Sequence, residues 1–408
     1  MRFRAAHLFL ILAIACDRPA PPPPKPAQKP APKPAAVQNV EDAGDLDADN
    51  LLNLAYGASV VSRTAESNLE VSAMQAIDGL ATTFWSSPPG DPRQTLVFAL
   101  PTRSRVERIG ITTYEQNYPK KLRFERSLDG KKWTEVATRA FVSSIEPQIA
   151  PVEPFEARYL RVEILEPQTG YAFIRSIHAI GRQLEPPPLR TFDGCWTINS
   201  FPARLEQKGA RITGIIGSTP PIVLDGGTDG HVAMFTWTHG PNHGYAAVSM
   251  DPATKTISGL TMYEEIAVAY AAGAWIGKRC ASEPPAVLPI PPATNQPLWP
   301  MYGLAFDPHD QLLEELSQST LDEAAERIRS APAQRFRIVA HELRFNDADR
   351  RTAARIASLR TALARRNVDL RRVEFVAAGK QWRGSAILTA TQRLLASRVD
   401  LELIPASR

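Results

Sequence analysis

Residues 105–136 read RVERIGITTYEQNYPKKLRFERSLDGKKWTEV, and this stretch decides the fold of the first part of the chain. Polar and apolar residues alternate along RIGITTY and again along KLRFERS, with the period of a half-buried β-strand. The segment DGKKW is a turn signal between strand-like runs. The stretch therefore predicts short β-strands joined by turns.

Strand-like runs continue on both sides of this stretch. QTLVFAL precedes it, and ARYLRVEIL and FIRSIHAIG follow it. Short alternating runs separated by turn residues are typical of a two-sheet β-sandwich. Residues 51–183 are therefore predicted to form an all-β domain.

The order of the motifs in this block is specific. NLAYGASV is followed by QAIDGLATTFWSS, QTLVFALP, the 105–136 stretch, EARYLRVEI and IRSIHAIG. This series resembles the discoidin family, the coagulation factor 5/8 type C domains with a galactose-binding-like fold. The resemblance covers nearly all of residues 51–183. It implies a jelly-roll sandwich that binds ligands, commonly sugars, through loops at one end.

The resemblance also implies where a sugar would bind. The loop TYEQNYP and the later loop QTGYAF supply aromatic, amide and carboxylate groups, which suit the apolar faces and hydroxyls of a sugar. The candidate carbohydrate-binding residues are Tyr114, Glu115, Asn117, Tyr118 and Tyr171. Trp85 is expected in the core, and Ser86 stands where sugar-binding members often have a histidine.

The family often holds a structural calcium beside its DG turn. Asp78 and Thr83 match that site in this sequence, whereas Ser176 replaces the glutamate that usually completes it. A structural calcium at Asp78 and Thr83 is therefore a candidate, and we expect no other cofactor.

Residues 190–281 form a second β-rich block, predicted to be a small antiparallel barrel or meander. Cys195 and Cys280 lie near its two ends, and in an exported protein such a pair is expected to form a disulfide. Two free thiols are the alternative. His239 and His243 lack a third metal ligand at recognisable spacing, so they are more often polar loop residues than a metal site.

Residues 298–405 alternate between helix-like and strand-like segments, which predicts an α/β sandwich. In TLDEAAERIRSA, Thr320 and Glu323 have the spacing of a helix-capping box. DADRRTAARIASLRTALARRN predicts a long amphipathic helix, and RFRIVAHE and RRVEFVAAG predict strands.

This alternation resembles the C-terminal peptidoglycan-binding domain of the outer-membrane protein A (OmpA-like) family. The resemblance rests on LAFDP with STLDEAAERI, IVAHE, IASLRT and SRVDLEL. It implies that His341 and Arg360 contribute to a site for the peptide stem of peptidoglycan. Leu343 replaces the family aspartate, for which Asp347 or Asp349 could substitute, and Ala353 replaces a helix asparagine.

The N-terminus has the features of a targeting segment. Arg2 and Arg4 precede the apolar run LFLILAIA, and Cys16 follows directly. AIAC resembles the lipobox of a bacterial lipoprotein signal peptide, which implies residues 1–16 as the signal and Cys16 as the lipidation site. Residues 17–50 then predict a Pro-rich tether, and residues 282–297 a Pro-rich linker.

The composition gives no case for nucleic-acid binding, because the net charge of +4 is mild and no basic stripe is present. No phosphate loop, zinc-protease helix or nucleophile elbow occurs, so we do not expect an enzyme. The sequence predicts a lipid-anchored envelope protein that binds glycan and peptidoglycan, expected at the outer membrane facing the periplasm. The alternatives are an envelope enzyme with its active site in the middle block, or an assembly lipoprotein with degenerate ligand sites.

Overall fold

The alternating runs of the first block form one antiparallel sheet that folds into a β-sandwich. A computed structural model describes residues 50–80, 83–186, 188–263, 271–281, 298–382 and 389–405. The strands are β1 (Ser59–Arg63), β2 (Trp85–Ser86), β3 (Thr95–Thr113), β4 (Pro119–Ser127), β5 (Thr134–Ala140), β6 (Gln148–Pro167) and β7 (Phe173–Gln183). Their order is β2-β7-β3-β6-β4-β5, and β1 pairs with β3.

The interior of the sandwich follows from strand alternation. Along β6, Leu160, Val162 and Ile164 are buried while the residues between them are partly exposed. Trp85 is completely buried, so its predicted place in the core is confirmed. Asn50, the last residue of the predicted tether, is also buried and forms a β-bridge with Ile180. Short 3-10 helices lie at Leu54–Tyr56, Leu69–Val71 and Ala73–Ala76.

The second block is a closed eight-stranded antiparallel barrel, which decides between the predicted barrel and meander. Its strands are β8 (Gly194–Ile198), β9 (Phe201–Lys208), β10 (Arg211–Ile216), β11 (Ile222–Thr228), β12 (Val232–His239), β13 (Asn242–Met250), β14 (Thr256–Tyr263) and β15 (Ala271–Arg279). Only three residue pairs join β15 to β8. The predicted disulfide between Cys195 and Cys280 is confirmed and lies beside this closure.

The third block contains a four-stranded sheet in the order β16-β19-β17-β18, with β17 and β18 parallel. Its elements are β16 (Leu298–Pro300), α1 (Glu314–Ser330), β17 (Arg335–His341), α2 (Ala348–Arg365), β18 (Val373–Gly379), α3 (Ala390–Ala396) and β19 (Val399–Ile404), with a 3-10 helix at Leu370–Arg372. None of the helices in the described ranges is long and apolar enough to cross a membrane.

Helix α1 begins six residues before the predicted capping box. Thr320 is buried in the middle of the helix, so its predicted capping role is wrong. Glu314 and Glu315 occupy the first turn instead, where negative side chains complement the helix dipole. A capping box does occur at α3, between Thr389 and Gln392.

One hydrophobic cluster joins the three blocks, while the barrel and the α/β part each have a further cluster of their own. A single cluster of buried side chains includes Phe98 of the sandwich, Met262 of the barrel and Leu395 of α3. Hydrogen bonds also cross between the blocks: the Val60 N–H donates to Ser258 Oγ at 3.0 Å, and the Ala210 N–H donates to the Leu316 carbonyl at 2.7 Å. Although proline clusters separate the blocks in sequence, their folded parts are packed together.

Candidate functional site

An aromatic cluster lies at one end of the sandwich. It consists of Phe84, Tyr114, Tyr171 and Phe173. The Tyr114 ring centroid is 5.1 Å from that of Phe84 and 5.8 Å from that of Phe173, and Tyr171 lies 6.0 Å from Phe173. Tyr171 is 39% exposed, and the other three rings are half-buried. The cluster therefore offers partly exposed ring faces and edges to solvent.

Arg175 adds a cation to this surface. Its guanidinium carbon lies 4.8 Å from the centroid of the Tyr114 ring. The Nε atom is buried without a hydrogen-bond partner, and the side chain forms no ion pair within the described part of the chain. The terminal nitrogens of Arg175 are thus available to a ligand.

Asn117 fixes the loop after β3. Its backbone is in the left-handed region, with φ of 56°, which asparagine tolerates better than most residues. Its Oδ1 accepts a hydrogen bond from Thr169 Oγ1 at 2.6 Å, and its N–H donates to Gln168 Oε1 at 2.8 Å. Asn117 therefore ties this loop to the loop that carries Tyr171.

The two other predicted loop residues have looser surroundings. The carbonyl of Glu115 accepts a hydrogen bond from Ser143 Oγ at 2.8 Å, while its carboxylate is exposed and pairs with no described cation. Tyr118 is half-buried, and its carbonyl accepts a bond from the Gln168 N–H. The structure thus brings Tyr114 and Tyr171 into the aromatic cluster and leaves Glu115, Asn117 and Tyr118 in the loop beside it.

Sequence reasoning missed Phe84, Phe173 and Arg175. A signal for two of them was present, because Tyr171, Phe173 and Arg175 are two residues apart and side chains at that spacing share one face of a strand.

Asp78 and Thr83, the candidate calcium ligands, are brought together. Thr83 Oγ1 donates hydrogen bonds to the two Asp78 carboxylate oxygens at 3.0 and 2.8 Å, and the Leu80 N–H donates to Oδ1 at 2.8 Å. Calcium needs six to eight oxygen ligands. These two side chains supply only part of such a set, and within the described ranges no three acidic, histidine or cysteine side chains cluster, so calcium binding at Asp78 and Thr83 stays a prediction. His239 and His243 lie on the hairpin of β12 and β13.

His341 and Arg360 occupy different parts of the third block. Burial lowers the pKa of His341, whose Nδ1–H donates to the Gln381 carbonyl at 2.8 Å. Arg360 is exposed, with its guanidinium carbon 5.2 Å from the Phe375 ring centroid. Phe375 pairs with Ile338, which is three residues, or about 10 Å of strand, before His341.

A different arginine meets the carboxylates at the end of β17. Arg355 lies 2.9 Å from both Asp310 Oδ1 and Glu342 Oε2. Burial alone would raise the pKa of Glu342, but attraction by Arg344 and Arg355, with hydrogen bonds from Arg344, lowers it overall. Asp310 is buried and has a left-handed φ of 61°. Helical spacing could have indicated Arg355, because it shares the buried face of α2 with Leu359.

A cavity of about 540 Å³ lies between the barrel and this arginine–carboxylate group. The α/β part contributes Asp310, Arg351 and Arg355, and the barrel contributes Ala210 and Met234. Large apolar side chains in the lining that remain exposed are Leu189, Leu313, Leu316 and Phe345. The cavity has the volume of a small-ligand site, with charged and apolar walls.

Comparison with known proteins assigns the sandwich. Residues 58–177 match the family model of the F5/8 type C domain. The chain carries an F5/8 type C domain. The aromatic cluster and Arg175 lie within this domain. No curated protein matches the chain in sequence.

Several solved structures resemble part of the chain. The C-terminal domain of a chitobiase from Bacteroides fragilis is 25% identical, over 32% of this chain and 96% of that chain, with a TM-score of 0.30. CBM32-3 from a family 31 glycoside hydrolase of Clostridium perfringens is 18% identical, over 31% and 93%, with a TM-score of 0.29. A chitosan-binding module from Paenibacillus sp. IK-5, solved with chitotriose, is 19% identical, over 32% and 100%, with a TM-score of 0.29.

Proposed function

We propose that this protein is a lipid-anchored carbohydrate-binding protein of the bacterial cell envelope, with its sugar site in the F5/8 type C domain. The observation that carries the proposal is the aromatic cluster beside the unpaired Arg175 and the fixed Asn117 loop. A pyranose stacks its C–H face on an aromatic ring, while its hydroxyls pair with guanidinium and amide groups.

Binding of the full chain to a glycan array, followed by calorimetry on the best ligand, tests this site. Tyr171→Ala removes one exposed ring, and we expect affinity to fall roughly threefold to tenfold, the value of one aromatic contact. Phe201→Ala is the matched control, because Phe201 is similarly exposed but lies on the barrel. Equal losses in both variants, or no glycan bound by the wild type, would reject the site.

A second proposed activity is association with peptidoglycan through the α/β part. It is supported by the cavity beside Asp310, Glu342 and Arg355, where opposite charges could pair with the ammonium and carboxylate groups of a stem peptide. The OmpA-like resemblance points instead to Arg360 and His341.

Co-sedimentation with purified peptidoglycan separates these two assignments. Arg355→Gln abolishes pelleting if the cavity binds the stem peptide, whereas Arg360→Ala abolishes it if the site implied by the OmpA-like resemblance binds it. Thermal unfolding of each variant shows whether the fold survives, and Arg351→Gln provides a second variant in the cavity. Wild-type protein that stays in the supernatant excludes wall association.

The proposed lipid anchor is a diacylglycerol thioether on Cys16, which lies outside the described residues. We place the anchored protein at the outer membrane, facing the periplasm. Metabolic labelling with a fatty-acid analogue tests the anchor, and Cys16→Ser should remove both the label and membrane fractionation. Labelling that persists in Cys16→Ser contradicts it.

A further inference from the structure

Arg175 has no acidic partner among the described residues, unlike several other arginines of the sandwich. Four arginines on neighbouring strands each form an ion pair with a glutamate: Arg103 with Glu156, Arg123 with Glu163, Arg158 with Glu185 and Arg161 with Glu125. Arg175 instead makes only the ring contact with Tyr114 within the described ranges. A half-buried cation without a counter-charge therefore lies at the aromatic cluster.

The Arg175 guanidinium is positioned to pair with an anion. The Tyr114 ring lies beneath the guanidinium, and burial of Nε leaves the two terminal nitrogens as the accessible edge. A planar carboxylate can accept two parallel hydrogen bonds from such an edge, which ammonium groups and neutral amides cannot provide. Because packing already limits the Arg175 side chain, less conformational entropy is lost when a ligand binds.

We infer that the sugar bound by the F5/8 type C domain carries a carboxylate, as a uronic acid or a lactyl-substituted amino sugar does. This inference rests on the proposed carbohydrate site and specifies its substrate class. The ring stacks on the aromatic cluster, and the carboxylate pairs with Arg175. Glu115, in the adjacent loop, carries an exposed negative charge that repels an acidic ligand. It therefore weakens the preference for acidic sugars without removing it.

Calorimetry on the full chain at pH 7 tests the inference with matched ligands. Tetragalacturonate is compared with galactotetraose, and N-acetylmuramic acid with N-acetylglucosamine, so that the two carboxylate sources are measured separately. We expect at least one acidic ligand to bind tenfold or more tightly than its neutral counterpart. Its affinity should fall between 50 and 300 mM NaCl, because salt screens a charge pair near the surface.

The variants identify the responsible charge. Arg175→Gln should lower the affinity for acidic ligands more than that for neutral sugars and so remove the tenfold preference, and Arg175→Lys should keep part of it. Glu115→Gln should strengthen acidic-ligand binding severalfold. Arg182→Gln is the matched control, since Arg182 is an exposed residue of the same strand.

The outcomes distinguish this inference from the function on which it rests. If neutral sugars bind in a Tyr171-dependent manner and acidic sugars bind no more tightly, the inference is overturned and the proposed function stands. A preference that survives Arg175→Gln or that is independent of salt overturns it too. Absence of binding to every sugar overturns the proposed function. If Arg175→Gln lowers the unfolding temperature, the inference is tested instead by the binding preference of Arg175→Lys and by the salt dependence of the wild type.

Discussion

The hydroxyl of Thr391 on α3 donates a hydrogen bond of 2.6 Å to the backbone carbonyl of Asp78, 313 residues earlier in the chain. Both groups are buried, so the bond forms away from competing water. It joins the last helix of the α/β part to the turn of the sandwich that carries the calcium candidates.

Thr391→Val should weaken this junction. The substitution keeps the side-chain volume but removes the donor, and a typical buried hydrogen bond contributes about 1 kcal/mol. We expect the free energy of unfolding in urea to fall by about that amount or more. Thr361→Val serves as the control, because Thr361 is exposed on α2. An unchanged midpoint in Thr391→Val would show that this contact does not contribute to stability.

Gly209→Ala should disrupt the contact between the barrel and α1. Gly209 has a φ of +62°, and an added Cβ would lie 2.2 Å from the backbone carbonyl oxygen of Leu316. Gly90→Ala isolates the backbone strain, because Gly90 has a φ of +75° with no atom within 4 Å of an added Cβ. We expect about 1 kcal/mol for Gly90→Ala and clearly more for Gly209→Ala, measured by chemical denaturation. Equal losses of stability in the two variants would mean that α1 shifts to accommodate the added Cβ without an energetic penalty.

Removal of the disulfide should destabilise the barrel. The bridge closes a loop with a sequence separation of 85, for which the chain-entropy model gives about 4.6 kcal/mol. The double variant Cys195→Ala, Cys280→Ala should therefore unfold at a much lower denaturant concentration. Reductant should lower the wild-type midpoint toward that of the double variant and leave the double variant unchanged. A wild-type midpoint that is insensitive to complete reduction contradicts this prediction.

Stability should decline in mild acid because of His178. Burial lowers its pKa from 6.5 to about 4, and the neutral ring lies 2.9 Å from Thr112 Oγ1 through Nε2. The unfolded chain binds a proton below about pH 6.5 that the folded chain does not bind until about pH 4. The stability present above pH 6.5 is thus lost as the pH falls through this window, by up to about 3 kcal/mol.

Denaturant titrations between pH 7 and 4 measure this effect. His178→Gln should flatten the part of the pH dependence that His178 causes, even if it lowers stability at pH 7. His243→Gln is the control, because His243 is exposed. A slope in His178→Gln equal to that of the wild type would assign the acid sensitivity to other groups.

Local sequence patterns predicted the elements better than their assembly. Alternation identified the strands of the sandwich, and the positions of Cys195 and Cys280 identified the disulfide, because both signals lie in the residues themselves. The shared core could not be predicted, since its contacts join side chains from three blocks that are hundreds of residues apart. The sequence order carries no information about which block faces which.

The site was predicted in part for a similar reason. The aromatic loop residues Tyr114 and Tyr171 follow from the family resemblance, whereas Arg175 joins the candidate site because it has no ion-pair partner among the described residues, which only three-dimensional packing reveals. In α2, the OmpA-like resemblance implied Arg360 as the binding residue, but the helical period places Arg355 on the buried face.

The shared core also sets an order of events during synthesis. Leu394, Leu395 and Ala396 pack in the same cluster as Phe98 and Trp85 of the sandwich. The sandwich therefore cannot bury all of its apolar surface until almost the whole chain has been made. Contacts over such separations form slowly, because a long loop must close first. The nascent F5/8 type C domain thus cannot complete this part of its packing until residue 396 has left the ribosome.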